Sequence, residues 1–132
     1  MAKLDDKAVA LLSQPNFGYF ADIMEDGSPH VSPVWVDVSD GYILVNTAIG
    51  RVKERNVRRD PRVALSVGDK DNQYDKVDIR GRVVEIIEGE EADRSIDSLA
   101  KKYLGEDVYP FRKPGEQRII LRIEPTTVSH AA

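Results

Sequence analysis

The chain contains no cysteine. Disulfides, thiolate nucleophiles, zinc–thiolate centres and iron–sulfur clusters are thereby excluded. Histidine is scarce too: His30 and His130 are the only two, too few for a histidine-based metal centre, and no metal site is expected. No apolar run approaches the roughly 20 residues of a spanning helix. The opening Met1-Ala2-Lys3-Leu4-Asp5-Asp6 carries acids where a secretory leader needs an apolar core. A membrane association is not expected, and the cytoplasm is the expected compartment. An excess of positive charge is also missing. Lys and Arg number 19 against 23 Asp and Glu, a formal net charge of −4, which argues against general nucleic-acid binding. What remains is 132 residues, 41% hydrophobic and 32% charged, the make-up of a single globular domain over residues 1–132 that buries its own core. Internal repeats and linkers are absent.

Basic charge is nonetheless concentrated in one place. Arg51, Lys53, Arg55, Arg58, Arg59 and Arg62 lie within twelve residues, against only Glu54 and Asp60 as acids. A local cationic site in an acidic chain needs an explanation.

Periodicity places that segment within a β-rich order. Leu4, Ala8, Leu11 and Leu12 recur at helical spacing behind Asp5 or Asp6 as a cap, and Pro15 stops the helix. From Phe17 to Ile23 the period is two, as in a strand. Asp26-Gly27 and Asp40-Gly41 are hairpin signals, because a primed turn needs positive φ and glycine supplies it. They join strands at Phe17–Ile23, His30–Val36 and Tyr42–Asn46 into an antiparallel meander. Arg51–Arg59 reads as a short helix bounded by Gly50 and Pro61. A strand at Arg62–Val67, a polar loop at Gly68–Asn72 and a strand at Val77–Ile87 follow, with Gly81 marking a bulge or bend. Glu90–Leu104 is a helix: Ala92, Ile96, Leu99 and Tyr103 share one face, acids fill its first turn and Gly105 ends it. Gln117–Ile123 is the last strand. The expected fold is mainly β, a small antiparallel barrel of about six strands with two or three accessory helices.

Few residues suggest chemistry of their own. A helix starting at Gly50 offers free N–H groups and a positive dipole end to a phosphate or carboxylate. Arg51 and Lys53 lie in its first turn, with Arg55 four residues beyond Arg51 on the same face. Arg58, Arg59 and Arg62 are expected to pair with nearby acids instead. Pro33 cannot donate to a ladder, so Pro29-His30-Val31-Ser32-Pro33-Val34-Trp35 marks a sheet edge or interruption. Trp35, the only tryptophan, is either a core or interface aromatic or a ligand-stacking face. His30 reads as a half-buried strand histidine without a Ser or carboxylate partner at motif spacing; His130 has no expected role. The pairs Asp5-Asp6 and Glu90-Glu91 serve helix dipoles. Walker, Rossmann and nucleophile-elbow motifs are absent, so the residues themselves assign no catalytic group, and an enzyme reading requires a cofactor that carries the reaction.

Pro29-His30-Val31-Ser32-Pro33-Val34-Trp35-Val36, then Arg51-Val52-Lys53-Glu54-Arg55-Asn56-Val57-Arg58-Arg59-Asp60-Pro61-Arg62-Val63, then Asp78-Ile79-Arg80-Gly81-Arg82-Val83 resemble the flavin/deazaflavin oxidoreductase superfamily. These are split β-barrel proteins related to pyridoxamine 5′-phosphate oxidase. Within the superfamily, the chain is most similar to the branch that uses the deazaflavin coenzyme F420. The likeness runs from about Leu4 to Val128 and is most specific at Arg-x-Lys-x-Arg-Asn. It implies an FMN-binding-protein-like split barrel and a homodimer with cofactor sites at the subunit interface. It further implies that Arg51, Lys53 and Asn56, with Arg55 beside them, hold the cofactor phosphate. Ser32, Pro33, Val34 and Trp35 would run along the tricyclic ring, and Asn46 and Thr47 would close the site from the other side. At Asn72-Gln73-Tyr74, Gln73 replaces a proline common in relatives. The implied activity is hydride transfer from reduced F420 to a small electron-poor acceptor such as an enone, quinone or tetrapyrrole. FMN is the alternative cofactor, and a non-catalytic cofactor carrier is the alternative function.

Overall fold

The structure, a computed structural model, describes residues 1–131. Helix α1 (Asp6–Ser13) starts where the Asp5 carboxylate accepts the Ala8 N–H at 2.8 Å, and it buries Ala8, Leu11 and Leu12. Strands β1 (Gly18–Ile23), β2 (Pro29–Val34), β3 (Val36–Ser39) and β4 (Tyr42–Ala48) follow, then α2 (Val52–Arg59). The chain continues through β5 (Arg62–Asp69), β6 (Asn72–Ile87), α3 (Glu90–Leu104) and β7 (Arg118–Ser129).

All seven strands belong to one antiparallel sheet in the order β2-β1-β5-β6-β7-β4-β3. Strands β2 and β3 therefore form its two edges, yet only Trp35 separates them in the chain. The sheet must curl until its edges meet, and this gives the split barrel. The one strand expected over His30–Val36 is thus two, which raises the expected six to seven. Its break is imposed from the last turn of α3. There the Tyr103 hydroxyl accepts the Val36 N–H at 3.0 Å, and Lys102 Nζ donates to the carbonyls of Leu12 (2.7 Å) and Val36 (2.6 Å). Backbone groups that would otherwise extend the ladder are spent on side chains.

At Asp26-Gly27 only the glycine has positive φ, 86°, inside a longer connection closed by Met24 and Ser28; the second turn is the primed kind. Asp40 and Gly41 both adopt positive φ, 53° and 82°, and close a two-residue hairpin between paired Ser39 and Tyr42. The expected polar loop at Gly68–Asn72 is shorter than its composition suggests, because β5 runs to Asp69 and β6 begins at Asn72. Gly81 lies at a register shift between β6 and β7. A Cβ there would sit 2.5 Å from the Glu124 carbonyl oxygen, so only glycine permits the strands to approach this closely. The barrel interior is filled by Phe20, Ile43, Val45, Ile119, Leu121 and Ile123. Helix α3 buries Ala92, Ile96 and Leu99 against β4 and β7 and ends at Gly105 in the left-handed conformation.

Candidate functional site

A cleft of about 260 Å³ opens where the β2–β3 break, β4, the start of α2, the start of β7 and the segment 105–117 converge. One wall is aromatic. Trp35 stacks on Tyr103 at 5.2 Å between centroids and 7° between planes, and Tyr103 stacks in turn on Phe17 at 5.7 Å. Tyr109 meets Trp35 edge-on at 6.0 Å, and Phe111 meets Tyr109 in the same way at 5.7 Å. Such packing is favoured by ring quadrupoles and stiffens the wall. The Tyr103 hydroxyl also donates to the Asn16 carbonyl at 2.7 Å, and burial pushes its pKa up to about 12. It therefore remains a neutral structural clamp. Pro33, Val34 and Ile96 complete the apolar lining.

The other wall is cationic, with Arg51, Lys53 and Arg118 lining it. Lys53 Nζ has one neutral hydrogen-bond partner, the Ser32 hydroxyl oxygen at 3.3 Å. Burial pulls the Lys53 pKa below its ordinary value, and the charges of Arg51 and Arg118 pull in the same direction against the opposing pull of Asp22. Arg118 is almost wholly buried; its Nε donates to Asn46 Oδ1 at 2.9 Å and its Nη1 to Glu116 Oε1 at 2.9 Å. Its guanidinium carbon lies 5.2 Å from the Tyr109 ring centroid. Asn46 is fixed through its amide nitrogen to the Ala92 carbonyl at 2.9 Å and the Ser95 hydroxyl at 3.2 Å. The other oxygen of Glu116 lies 4.0 Å from Arg51 Nη2. Three cations thus line the cleft, with the Glu116 carboxylate beside two of them, which suits an anionic group beside a flat apolar ring.

The structure divides the expected residues. Pro33, Val34, Trp35, Asn46, Arg51 and Lys53 line the cleft, and Ser32 reaches it by holding Lys53. Arg55, Asn56 and Thr47 do not line it. Arg55 points outward and donates to the Gly50 carbonyl. Asn56 is buried behind α2, where its Oδ1 accepts from Arg59 and its amide meets the Met24 sulfur. Thr47 is enclosed, and its hydroxyl lacks a partner among the described residues. The helix start differs from expectation as well. Glu54 folds back so that its Oε1 accepts the Gly50 N–H at 2.9 Å, which supplies that end of α2 with a carboxylate of its own. That bond, more than any other influence, holds the Glu54 pKa below the ordinary range. The anion-receptive feature is therefore the side chains of Arg51 and Lys53 more than the helix N–H groups.

Arg58 pairs with Glu54 and Arg62 with Asp60, as expected, while Arg59 bonds Asn56. His30 is half-buried as expected, but it has a carboxylate partner that motif spacing did not show: Asp22, directly opposite in the β1–β2 register, at 2.7 Å. His130 bonds Asp5 at 2.9 Å and the Lys76 carbonyl at 3.0 Å, and so ties the end of the chain to α1. Sequence reasoning missed Phe17, Ile96, Tyr109, Phe111 and Arg118 as lining residues. A signal existed for Arg118, a lone cation opening the apolar run Ile119-Ile120-Leu121.

Residues 4–131 match the family model described as pyridoxamine 5′-phosphate oxidase, and the chain belongs to that family of flavin-binding, oxidoreductase-type split barrels. Among solved structures it is similar to an F420 reductase at 29% identity and a TM-score of 0.76, with 92% of this chain and 94% of that one covered. It is also similar to a conserved hypothetical protein from Mycobacterium tuberculosis at 28% identity and a TM-score of 0.70, with 97% and 82% covered. A protein from Listeria innocua described as a putative pyridoxamine 5′-phosphate oxidase matches at 20% identity and 0.66, with 96% and 97% covered, a likeness of fold alone.

Proposed function

We propose that this chain is an F420-dependent reductase whose coenzyme lies in the cleft between the aromatic and cationic walls. The observation that carries this reading is the meeting of Arg51 and Lys53 with the Trp35 face in one cleft. A phosphate-bearing tricycle needs those two features side by side. The residues present fit such a group: Lys53 is a half-buried cation whose one hydrogen-bond partner is neutral, and a phosphate oxygen would complete it. When bound, the coenzyme supplies the hydride that passes to an electron-poor acceptor. The chain binds the phosphate through Arg51 and Lys53, seats the ring along Pro33, Val34 and Trp35, and excludes water with Tyr109 and Phe111. The likeness to an F420 reductase at 29% identity supports the deazaflavin, and the family match supports FMN as the second reading.

A second copy of the chain belongs to this proposal. Tyr19 and Val31 are 52% and 64% exposed on the outer face of the β1–β2 pair, and Phe17 is 54% exposed at the cleft. That apolar face continues into the cleft at Pro33, which pairs with Tyr19. It is the surface on which a homodimer would close the site. Titration of the purified protein with F420 and with FMN, followed by their absorption and fluorescence, tests the cofactor. Tighter binding of F420 than of FMN is expected; binding of FMN alone would replace the first reading with the second. Sedimentation tests the dimer, and a monomer at micromolar concentration would refute it.

A further inference from the structure

Arg118 presents more donors to the cleft than the chain uses. Of the five N–H groups on a guanidinium, one is taken by Asn46 and one by Glu116, leaving three without a partner among the described residues. The side chain is only 4% exposed, and none of its nitrogens is buried without a partner among the described residues, so its free Nη2 reaches the open space that Arg118 lines. A guanidinium so nearly enclosed, with donors still free at an opening, is placed to take an anion there. The charge is also incompletely balanced, since Glu116 is shared with Arg51. Position distinguishes this cation from the Arg51–Lys53 pair. Arg118 opens β7, is braced by Asn46 on β4, and lies over Tyr109, the ring that meets Trp35 edge-on. It therefore stands beside the aromatic wall, where the flat part of a ligand would rest.

We propose that Arg118 forms an anion subsite separate from the Arg51–Lys53 clamp, and that it receives the carboxylate of a flat acceptor molecule. Glu116 is its resident counter-ion and weakens the site when no ligand is bound. A planar guanidinium with adjacent free N–H groups matches a carboxylate better than a point charge does. The proposal rests on the reading of the cleft as a coenzyme-and-acceptor site, and it narrows the acceptor to a carboxylate-bearing one.

Benzoate, which is flat and anionic but has neither phosphate nor redox chemistry, tests it independently of any coenzyme. Its binding, and separately that of inorganic phosphate, is followed by the indole N–H resonance of Trp35. The expected result is benzoate binding that weakens about tenfold or more in Arg118→Met. Lys53→Ala should weaken phosphate more than benzoate. Because Arg118→Met also strands Asn46 and Glu116, Glu116→Gln supplies the second variant: benzoate should bind it more tightly, an effect that a purely structural role would not produce. No benzoate binding by the wild-type protein, equal losses of benzoate and phosphate in Arg118→Met, or weaker benzoate binding in Glu116→Gln would each overturn the proposal. If benzoate behaves as expected while F420 and FMN both fail to bind, the subsite stands and the coenzyme reading falls.

Discussion

The two halves of α2 carry the same kind of side chain in different circumstances. At its C-terminal end, Arg58 is closed by Glu54, Arg59 by Asn56 and, just beyond the helix, Arg62 by Asp60. At its start, Lys53 is half-buried with the Ser32 hydroxyl as its partner, and Arg51 has Glu116 at the edge of ion-pair distance. A run of basic residues is thus two features. The outer half is a solvated, internally paired surface, whereas the inner half faces a cleft with its charge left over. Charge left over for a ligand follows the absence of local partners and not the local density of charge.

The largest effect should come from removing the inner charge. Lys53→Ala is expected to weaken coenzyme binding about tenfold to a hundredfold, the worth of a charge-assisted hydrogen bond. It should leave the melting temperature unchanged or raised, because burial already disfavours the ammonium form; a titration paired with a thermal melt checks both. The same shift gives a pH signature. As the Lys53 pKa lies below its ordinary 10.5, phosphate affinity should fall on the alkaline side before an exposed lysine would deprotonate.

Glu54 links the halves through Gly50 on one oxygen and Arg58 on the other. Glu54→Gln should cost about 1–2 kcal/mol in denaturant unfolding near neutral pH. Its folded pKa is depressed, so its stabilisation is full above the ordinary 4.5 and is lost as pH falls through the lowered value. The variant should therefore show a flatter acid limb. Arg51→Ala should have a smaller effect on binding, about two- to fivefold, since its side chain is 47% exposed. Smallest of all, Arg58→Ala and Arg62→Ala should leave coenzyme affinity unchanged. In Arg62→Ala, Asp60 should lose the pKa of about 2 that Arg62 imposes on it, a change visible by NMR titration. An affinity loss in these outer variants equal to that of Lys53→Ala would erase the contrast.

What the sequence discloses about the fold is local. Asp26-Gly27, Asp40-Gly41 and the apolar face of Glu90–Leu104 declare their turns and helix because neighbours a few residues apart determine them. The break at Trp35 could not be read, since Tyr103, 67 residues beyond Val36, imposes it. The site divides along the same line. Arg51, Lys53, Asn46 and the Pro33–Trp35 segment lie in contiguous, legible stretches. The sequence marks Arg118 only as a cation before an apolar run, and its partner Asn46, like the Asp22–His30 pair, emerges once strand register is known: Asn46 faces Ile120 across β4 and β7, and Asp22 faces His30 across β1 and β2. Arg55 and Asn56 show the converse. They follow Lys53 closely in sequence, yet the turn of the helix carries one outward and the other behind it.

Because Trp35 is the only tryptophan and lines the cleft beside Lys53, its emission reports directly on what enters there. Adding F420 to the wild-type protein should quench that emission to saturation, and Lys53→Ala should require about ten times more ligand for the same quenching. Emission that stays unquenched at saturating F420 and FMN, or an identical curve for the variant, would contradict the assignment of this cleft.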